Sequence, residues 1–231
     1  MTRLYLVRHG ENLANLTKEF SYRAVDYPLT AKGVLQAEQT ARHLAGKDIS
    51  AIYSSPLRRA TETAQHLADL LGQDVMVLEA FRELNVGDLE GQPPTAEAWA
   101  AHNEVLRAWR RGELQTAFPG GENFLQMWQR VGAGFQQVVK RHPDQEVAIF
   151  AHGGVFASSI KAICSDIDLS AVLRQENHNC SISEITADLD ADGRLHGELV
   201  YWAACDHITG AAADFVSGSP SPAFFQGQGS S

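Results

Sequence analysis

Leu4-Tyr5-Leu6-Val7-Arg8-His9-Gly10-Glu11-Asn12-Leu13-Ala14-Asn15 is the stretch whose reading decides the fold. A short apolar run is broken by an arginine, a histidine and a glycine in succession. Such a run reads as a buried strand, and strands of open α/β sheets present their C-terminal ends to a shared ligand crevice. Arg8 and His9 stand at that end. Gly10 follows where backbone N–H groups can come close to an anion that a side chain would hold off. Taken alone, the stretch is equally a strand followed by a polar turn.

A second copy of the pattern lies far along the chain, in Val147-Ala148-Ile149-Phe150-Ala151-His152-Gly153-Gly154. Two histidines then leave two strand ends. If both strands are parallel in one sheet, their tips share an edge and the imidazoles can converge.

The 231 residues, 44% of them hydrophobic, fit one globular domain, expected over 1–214. A formal charge of −9 argues against nucleic acid, which requires a dense basic surface. Cys164, Cys180 and Cys205 are odd in number and lack C-x-x-C spacing, so neither a disulfide framework nor a zinc site is expected. The first apolar run is too short for a signal sequence, and no later stretch approaches a membrane span. The expectation is a soluble, cytoplasmic protein with no membrane partner.

Between the two histidines the pattern alternates strands and helices. Leu16–Leu29 has no helical period and reads as a loop, either at a pocket mouth or on the surface. Thr30 can cap a helix with the stripe Val34, Ala37, Ala41 and Leu44, which Gly46 can end. Ala51–Ser54 is a second strand, after which Ser55-Pro56 supplies a cap and first-turn proline. Leu57, Ala60, Ala64, Leu67 and Leu71 form the next stripe, with Gly72 as its stop. Arg58 and Arg59 fall in the first turns, where cations gain nothing from the helix dipole and anions would.

Val75–Leu78 is a third strand, and Glu83 lies just past its end. Residues 92–121 read as an inserted cap or as an ordinary amphipathic helix, with Trp99, Leu106 and Trp109 on one side. Asn123 opens a long helix with the stripe Phe124, Met127, Val131, Phe135 and Val138. Val155–Ile167 reads as a helix, and Ser181–Ala187 with Glu198–Ala203 as two strands around a turn. That turn, Asp188-x-Asp190-x-Asp192-Gly193, opens like a calcium loop, but the twelfth position is Leu199 where a bidentate Glu is needed. A polar hairpin explains it better. Residues 215–231 have the composition of a flexible tail.

Four strand ends thus offer Arg8 with His9, Arg58 or Arg59, Glu83, and His152. Guanidiniums match phosphoryl oxygens, an imidazole can take a phosphoryl group covalently, and a carboxyl can protonate the leaving oxygen. The carboxyl would need a raised pKa, and a dianionic substrate beside it works in that direction. No spacing points to a metal or another cofactor.

These blocks resemble the histidine phosphatase superfamily, also called phosphoglycerate mutase-like. The likeness is carried by Arg8 to Glu11, Asn15, Leu29-Thr30-x-x-Gly33-x-x-Gln36-Ala37 and Ser55-x-Leu57-x-Arg59-Ala60-x-x-Thr63-Ala64. It continues in Glu83-x-x-x-Gly87-x-x-Glu90-Gly91, Pro119-Gly120-Gly121-Glu122 and Ala151-His152-Gly153-Gly154. The resemblance implies a three-layer α/β/α fold with a mostly parallel sheet, selects Arg59 over Arg58, and makes His9 the nucleophile. It further implies that Arg8, Arg59 and His152 bind phosphoryl oxygens, that Asn15 is a further phosphate contact and that Glu83 is the proton donor. Gly153 is expected at the substrate. Tyr22-Arg23 departs from the family pattern before Asp26, so both are expected to shape the substrate pocket.

The expected activity is hydrolysis of a small phosphorylated metabolite. The span from Glu83 to His152 is shorter than in glycolytic mutases, which places a bisphosphate-primed mutase second and an inert phospho-ligand binder third. A homodimer is compatible with the sequence.

Overall fold

The computed structural model describes residues 1–226. Six strands form one sheet in the order β3-β2-β4-β1-β5-β6. They are β1 (Thr2–Arg8), β2 (Ile49–Ser54), β3 (Val75–Val77), β4 (Glu146–Ala151), β5 (Ile182–Leu189) and β6 (Leu195–Ala204). β1 to β4 run parallel, whereas β5 is antiparallel to β1 and β6 to β5. The expected mostly parallel sheet is therefore present, with an antiparallel hairpin on one side.

Strand side chains alternate between faces, so each central strand feeds two cores. Leu4, Leu6, Val147 and Ile149 pack with Val131 and Phe135 of α5 (Phe124–Arg141) and Val155 of α6 (Gly153–Ile163). Tyr5, Val7, Ala148 and Phe150 face the other way, onto Ala41 and Leu44 of α2 (Ala31–Leu44) and Ala64 and Leu67 of α3 (Arg58–Leu71). Helices on both faces give the three layers. Burial on both sides explains why β1 and β4 are continuous apolar runs.

Register then fixes the site. Val7 pairs with Phe150 and Arg8 with Ala151, while Ser54 also pairs with Phe150. His9, His152 and Ser55 follow these pairs directly and stand in a row on the C-terminal edge.

Several boundaries differ from the expectation. α1 (Leu13–Thr17) occupies the start of the presumed loop, closed by reciprocal hydrogen bonds between Asn12 and Asn15. Five residues are too few to show a helical period. α2 ends at Leu44 without a left-handed Gly46, whereas Gly72 at φ 63° stops α3 as expected. α3 begins at Arg58, because Ser55 bends back to accept the N–H of Leu57 and Asp26 takes over the capping of the Arg58 N–H. α6 starts at Gly153, directly on His152.

The aspartate-rich turn is a hairpin between β5 and β6, in which Asp190 accepts the N–H groups of Asp192 and Arg194 and Gly193 takes φ 74°. Residues 92–121 contain α4 (Ala96–Arg110). The expected free tail is corrected at its start. Phe215 stacks on His178 with centroids 4.5 Å apart, Lys18 donates to the Ser217 carbonyl, and Gly218 N–H donates to Glu176. Two short helices, α7 (Leu169–Val172) and α8 (Pro222–Gln226), complete the described elements, and residues 227–231 of the tail lie outside the described residues. Among the described residues no helix is long and apolar enough to cross a membrane.

Gly10 and Gly33 mark a close approach between the β1 exit and α2. A Cβ on Gly33 would lie 2.1 Å from the Glu11 carbonyl oxygen, and one on Gly10 2.6 Å from the Gly33 oxygen. The separate sequence blocks containing Gly10 and Gly33 are thus two sides of one contact.

Candidate active site

The C-terminal edge of the parallel strands opens into a cavity of about 570 Å³, with Arg8, His9, Asn15, Arg59, Glu83 and Gly153 in its wall. His152 is fully buried beneath it, its ring centroid 5.2 Å from that of His9.

His9 continues the β1–β4 pairing through its N–H to the Ala151 carbonyl at 3.0 Å, while its own carbonyl accepts from Asn179 at 3.0 Å. Its Nδ1 lies 2.7 Å from the Gly10 carbonyl, and Arg59 Nε–H donates to its Nε2 at 3.1 Å. A carbonyl can only accept and a guanidinium can only donate, so the network assigns the proton to Nδ1 and leaves the lone pair on Nε2. Burial, followed by the charges of Arg59 and Arg8, pushes the imidazole pKa well below its ordinary value. His9 is therefore neutral at neutral pH.

The sign of that shift gives a prediction. A nucleophile that must be unprotonated, with a depressed pKa, stays competent as pH falls through the ordinary histidine range near about 6.5. We expect kcat/KM, corrected for the second ionisation of the substrate phosphate, to hold steady from about pH 7.5 to below about pH 6. An acid limb centred near the ordinary histidine pKa would contradict the neutral buried imidazole.

Arg59, in the first turn of α3, is 3% exposed. Its Nη1 donates to Ser21 Oγ at 2.7 Å and its Nη2 to the Ser21 carbonyl at 3.1 Å, with Asp26 3.8 Å away. Burial lowers its pKa to about 10, with Glu83 and Asp26 opposing the fall. The Ser21–Asp26 loop is itself anchored by Glu90, whose Oε1 accepts four successive N–H groups from Tyr22 to Val25. Arg8 donates from Nη1 to the Asn177 carbonyl, but its Nε is buried without a partner. His152 has Nε2 2.7 Å from Ser55 Oγ and Nδ1 buried without a partner. Unsatisfied buried polar groups are costly, and a guanidinium N–H beside a ring nitrogen that carries a proton when Ser55 donates to Nε2 fits an anion.

Glu83 lies beyond β3 at the start of α6. Its Oε1 accepts from Leu84 N and Val155 N, both at 2.9 Å, and its Oε2 from Gly154 N at 3.2 Å. The N–H groups left free at the start of α6 thus hold the carboxyl group in place. A Cβ on Gly154 would stand 2.6 Å from Glu83 Oε1, so a side chain there would displace the carboxyl group from this position. Gly153 is roomier, its added Cβ meeting Arg8 at 3.5 Å. Asn15 Oδ1 accepts from Asn179, which ties Asn15 to the His9 backbone.

Tyr22 and Arg23 do not line the cavity. The guanidinium carbons of Arg23 and Arg82 lie 5.5 and 5.7 Å from the centre of the Tyr22 ring, and Arg23 is exposed near Glu79. Glu90 turns their backbone to the anchor and their side chains away, which the sequence pattern could not convey. Trp99 does line the cavity, packed on Phe20 at 4.7 Å, but Trp109 of α4 is buried with its indole N–H on the Thr116 carbonyl.

Ser21, Asn179 and Gly154 went unassigned in the sequence reading. Only Gly154 carried a signal, as the second glycine after His152. Among the described residues no three His, Cys, Asp or Glu side chains gather so as to hold a metal ion.

Both the sequence and the fold have counterparts among known proteins. The sequence model of the histidine phosphatase superfamily (branch 1) matches residues 4–195, and the chain belongs to that superfamily. It is 34% identical over 188 residues to a Hydrogenobacter thermophilus protein named "Putative phosphoserine phosphatase 2", across 80% of this chain and 89% of the relative. It is 28% identical over 190 residues to the Yersinia pestis "Probable phosphoglycerate mutase GpmB", across 80% and 85%. The solved structure of a mycobacterial glucosyl-3-phosphoglycerate phosphatase superposes with a TM-score of 0.73 at 28% identity, over 88% of this chain and 99% of that one. The fold is thus phosphoglycerate mutase-like.

Proposed function

We propose that this enzyme hydrolyses phosphate monoesters of small metabolites through a phosphohistidine on His9. The observation that carries the reading is the lone pair of His9 Nε2 beside two buried donors that lack partners, Arg8 Nε and His152 Nδ1. With the Ser55 hydroxyl proton directed at His152 Nε2, Nδ1 of that ring holds a proton for a phosphoryl oxygen. Arg59 supplies the opposing guanidinium, and Asn15 stands on the same wall.

His9 Nε2 attacks phosphorus, the N–P bond forms and the ester P–O bond breaks. Glu83 gives its proton to the leaving oxygen. Water then attacks the phosphohistidine, Glu83 takes its proton, and release of inorganic phosphate restores His9. As substrate binds, the Arg59 Nε–H passes from His9 Nε2 to a phosphoryl oxygen, and the cationic donors stabilise the charge on the equatorial oxygens. The names of the phosphatase relatives support phosphorylated small molecules as substrates. Three free cysteines, two of them buried, support a reducing cytoplasm, and every residue invoked comes from one chain.

The test is release of inorganic phosphate from a panel of monoesters, without bisphosphate primer and with chelator present. Steady turnover on at least one ester is expected. Primed conversion of 3-phosphoglycerate to 2-phosphoglycerate, faster than phosphate release from every ester, would reassign the protein as a mutase.

A further inference from the structure

The backbone that carries Glu83 has little regular structure of its own. After a single 3-10 turn at Glu79–Phe81, the chain from Arg82 to Val86 has no helix or ladder to satisfy its carbonyls. Buried carbonyls must still find donors. One side chain supplies them. Arg130, from α5, donates from Nη1 to the carbonyls of Ala80 at 2.9 Å and Arg82 at 2.7 Å, and from Nη2 to that of Glu83 itself at 3.0 Å.

The same guanidinium is paired with Glu122, from Nε to Oε2 at 2.9 Å and from Nη2 to Oε1 at 2.6 Å. Glu122 in turn accepts the N–H of Asn85 at 2.9 Å and donates its own N–H to the Asn85 carbonyl at 2.9 Å. Three hydrogen bonds from Arg130 and two from Glu122 thus hold residues 80–85, and two more lock the arginine to the glutamate. None reaches the cavity, and neither residue is in its wall.

We infer that Arg130, locked by Glu122, is a positioning residue that sets where the Glu83 carboxyl meets the leaving oxygen. This rests on the proposed role of Glu83 as the acid. The geometry is specific to a guanidinium: only a planar fork with donors on three nitrogens can span three carbonyls and a carboxylate, and an ammonium cannot. Loss of the fork frees the backbone bearing Glu83 while leaving His9, Arg8, Arg59 and His152 on their own supports. A misplacement of about 1 Å in a reacting group costs on the order of a hundredfold.

The experiment compares Arg130→Lys, Glu83→Gln and the double variant on an alkyl phosphate and on 2,4-dinitrophenyl phosphate, whose leaving group needs no proton. Arg130→Lys is expected to lower kcat/KM on the alkyl ester by about tenfold or more and on the aryl ester by less than about threefold. In the double variant it should add nothing to the alkyl loss already caused by Glu83→Gln, because it acts through that group. Should Arg130→Lys fail to fold, Glu122→Gln, which removes the countercharge and keeps the side chain's shape, is expected to give the same leaving-group signature at smaller size. Equal losses on both esters, no loss on either, or additive losses in the double variant would overturn the inference. A Glu83→Gln variant that fails to discriminate between the esters would instead overturn the acid assignment.

Discussion

Replacing His9 by alanine is expected to abolish turnover, with a loss of at least about 10⁴-fold, the scale seen when a covalent nucleophile is removed. The reason is geometric as well as chemical. His9 is the imidazole whose Nε2 lone pair the network leaves unprotonated beside the Arg59 guanidinium, with Nδ1–H held by the Gly10 carbonyl. His152 cannot replace it, since its Nε2 is engaged by Ser55 beneath the cavity floor. Brief exposure of the wild type to a phosphorus-labelled ester should give label that is labile in acid and stable in alkali, and His9→Ala should give none. Label that survives in the variant, or near-normal activity, would remove the nucleophile assignment.

Glu83→Gln should separate substrates by leaving group. An alkyl phosphate leaves as a strongly basic oxygen and needs the proton, so its kcat/KM should fall about a hundredfold or more. A nitrophenyl phosphate should lose no more than a few-fold. The amide can keep its oxygen on the N–H groups of Leu84 and Val155, but it then turns an NH₂ towards the Gly154 N–H, where Oε2 accepts at 3.2 Å. That local cost falls on both substrates equally, and the ratio of the two losses is therefore the readout. Equal losses would leave Glu83 a capping residue of α6 and no more.

The two predictions draw on parts of the molecule that were unequally visible beforehand. His9, Arg8 and His152 were legible because a strand buried on both faces is a continuous apolar run, and a charged residue ending it has only the crevice to face. The same logic located Glu83 past β3. Arg58 and Arg59, adjacent in sequence, were not separable by periodicity, and the family motif selected Arg59. The structure gives the reason: Arg59 is buried on the His9 side of α3, while Arg58 pairs with Glu62 at the surface.

The sequence by itself determined the alternation of strands and helices, the buried stripes of α2, α3 and α5, and which charged residues fall at strand ends, since these depend on local periodicity and on what burial tolerates. Only the tertiary structure decided the rest. Parallel register brought His9, His152 and Ser55 into one row, and Asp26 moved the start of α3 by capping it from a distant loop. Glu90 gathered the N–H groups of residues 22–25 and so turned Tyr22 and Arg23 off the cavity wall. Arg130 reached from α5 to the carbonyls around Glu83. The register joins strands 143 residues apart, and the side-chain contacts of Ser55, Asp26, Glu90 and Arg130 span 32 to 97 residues. Hydrogen bonds of that kind satisfy irregular backbone and leave no period in the sequence, so they become visible only when the chain has folded.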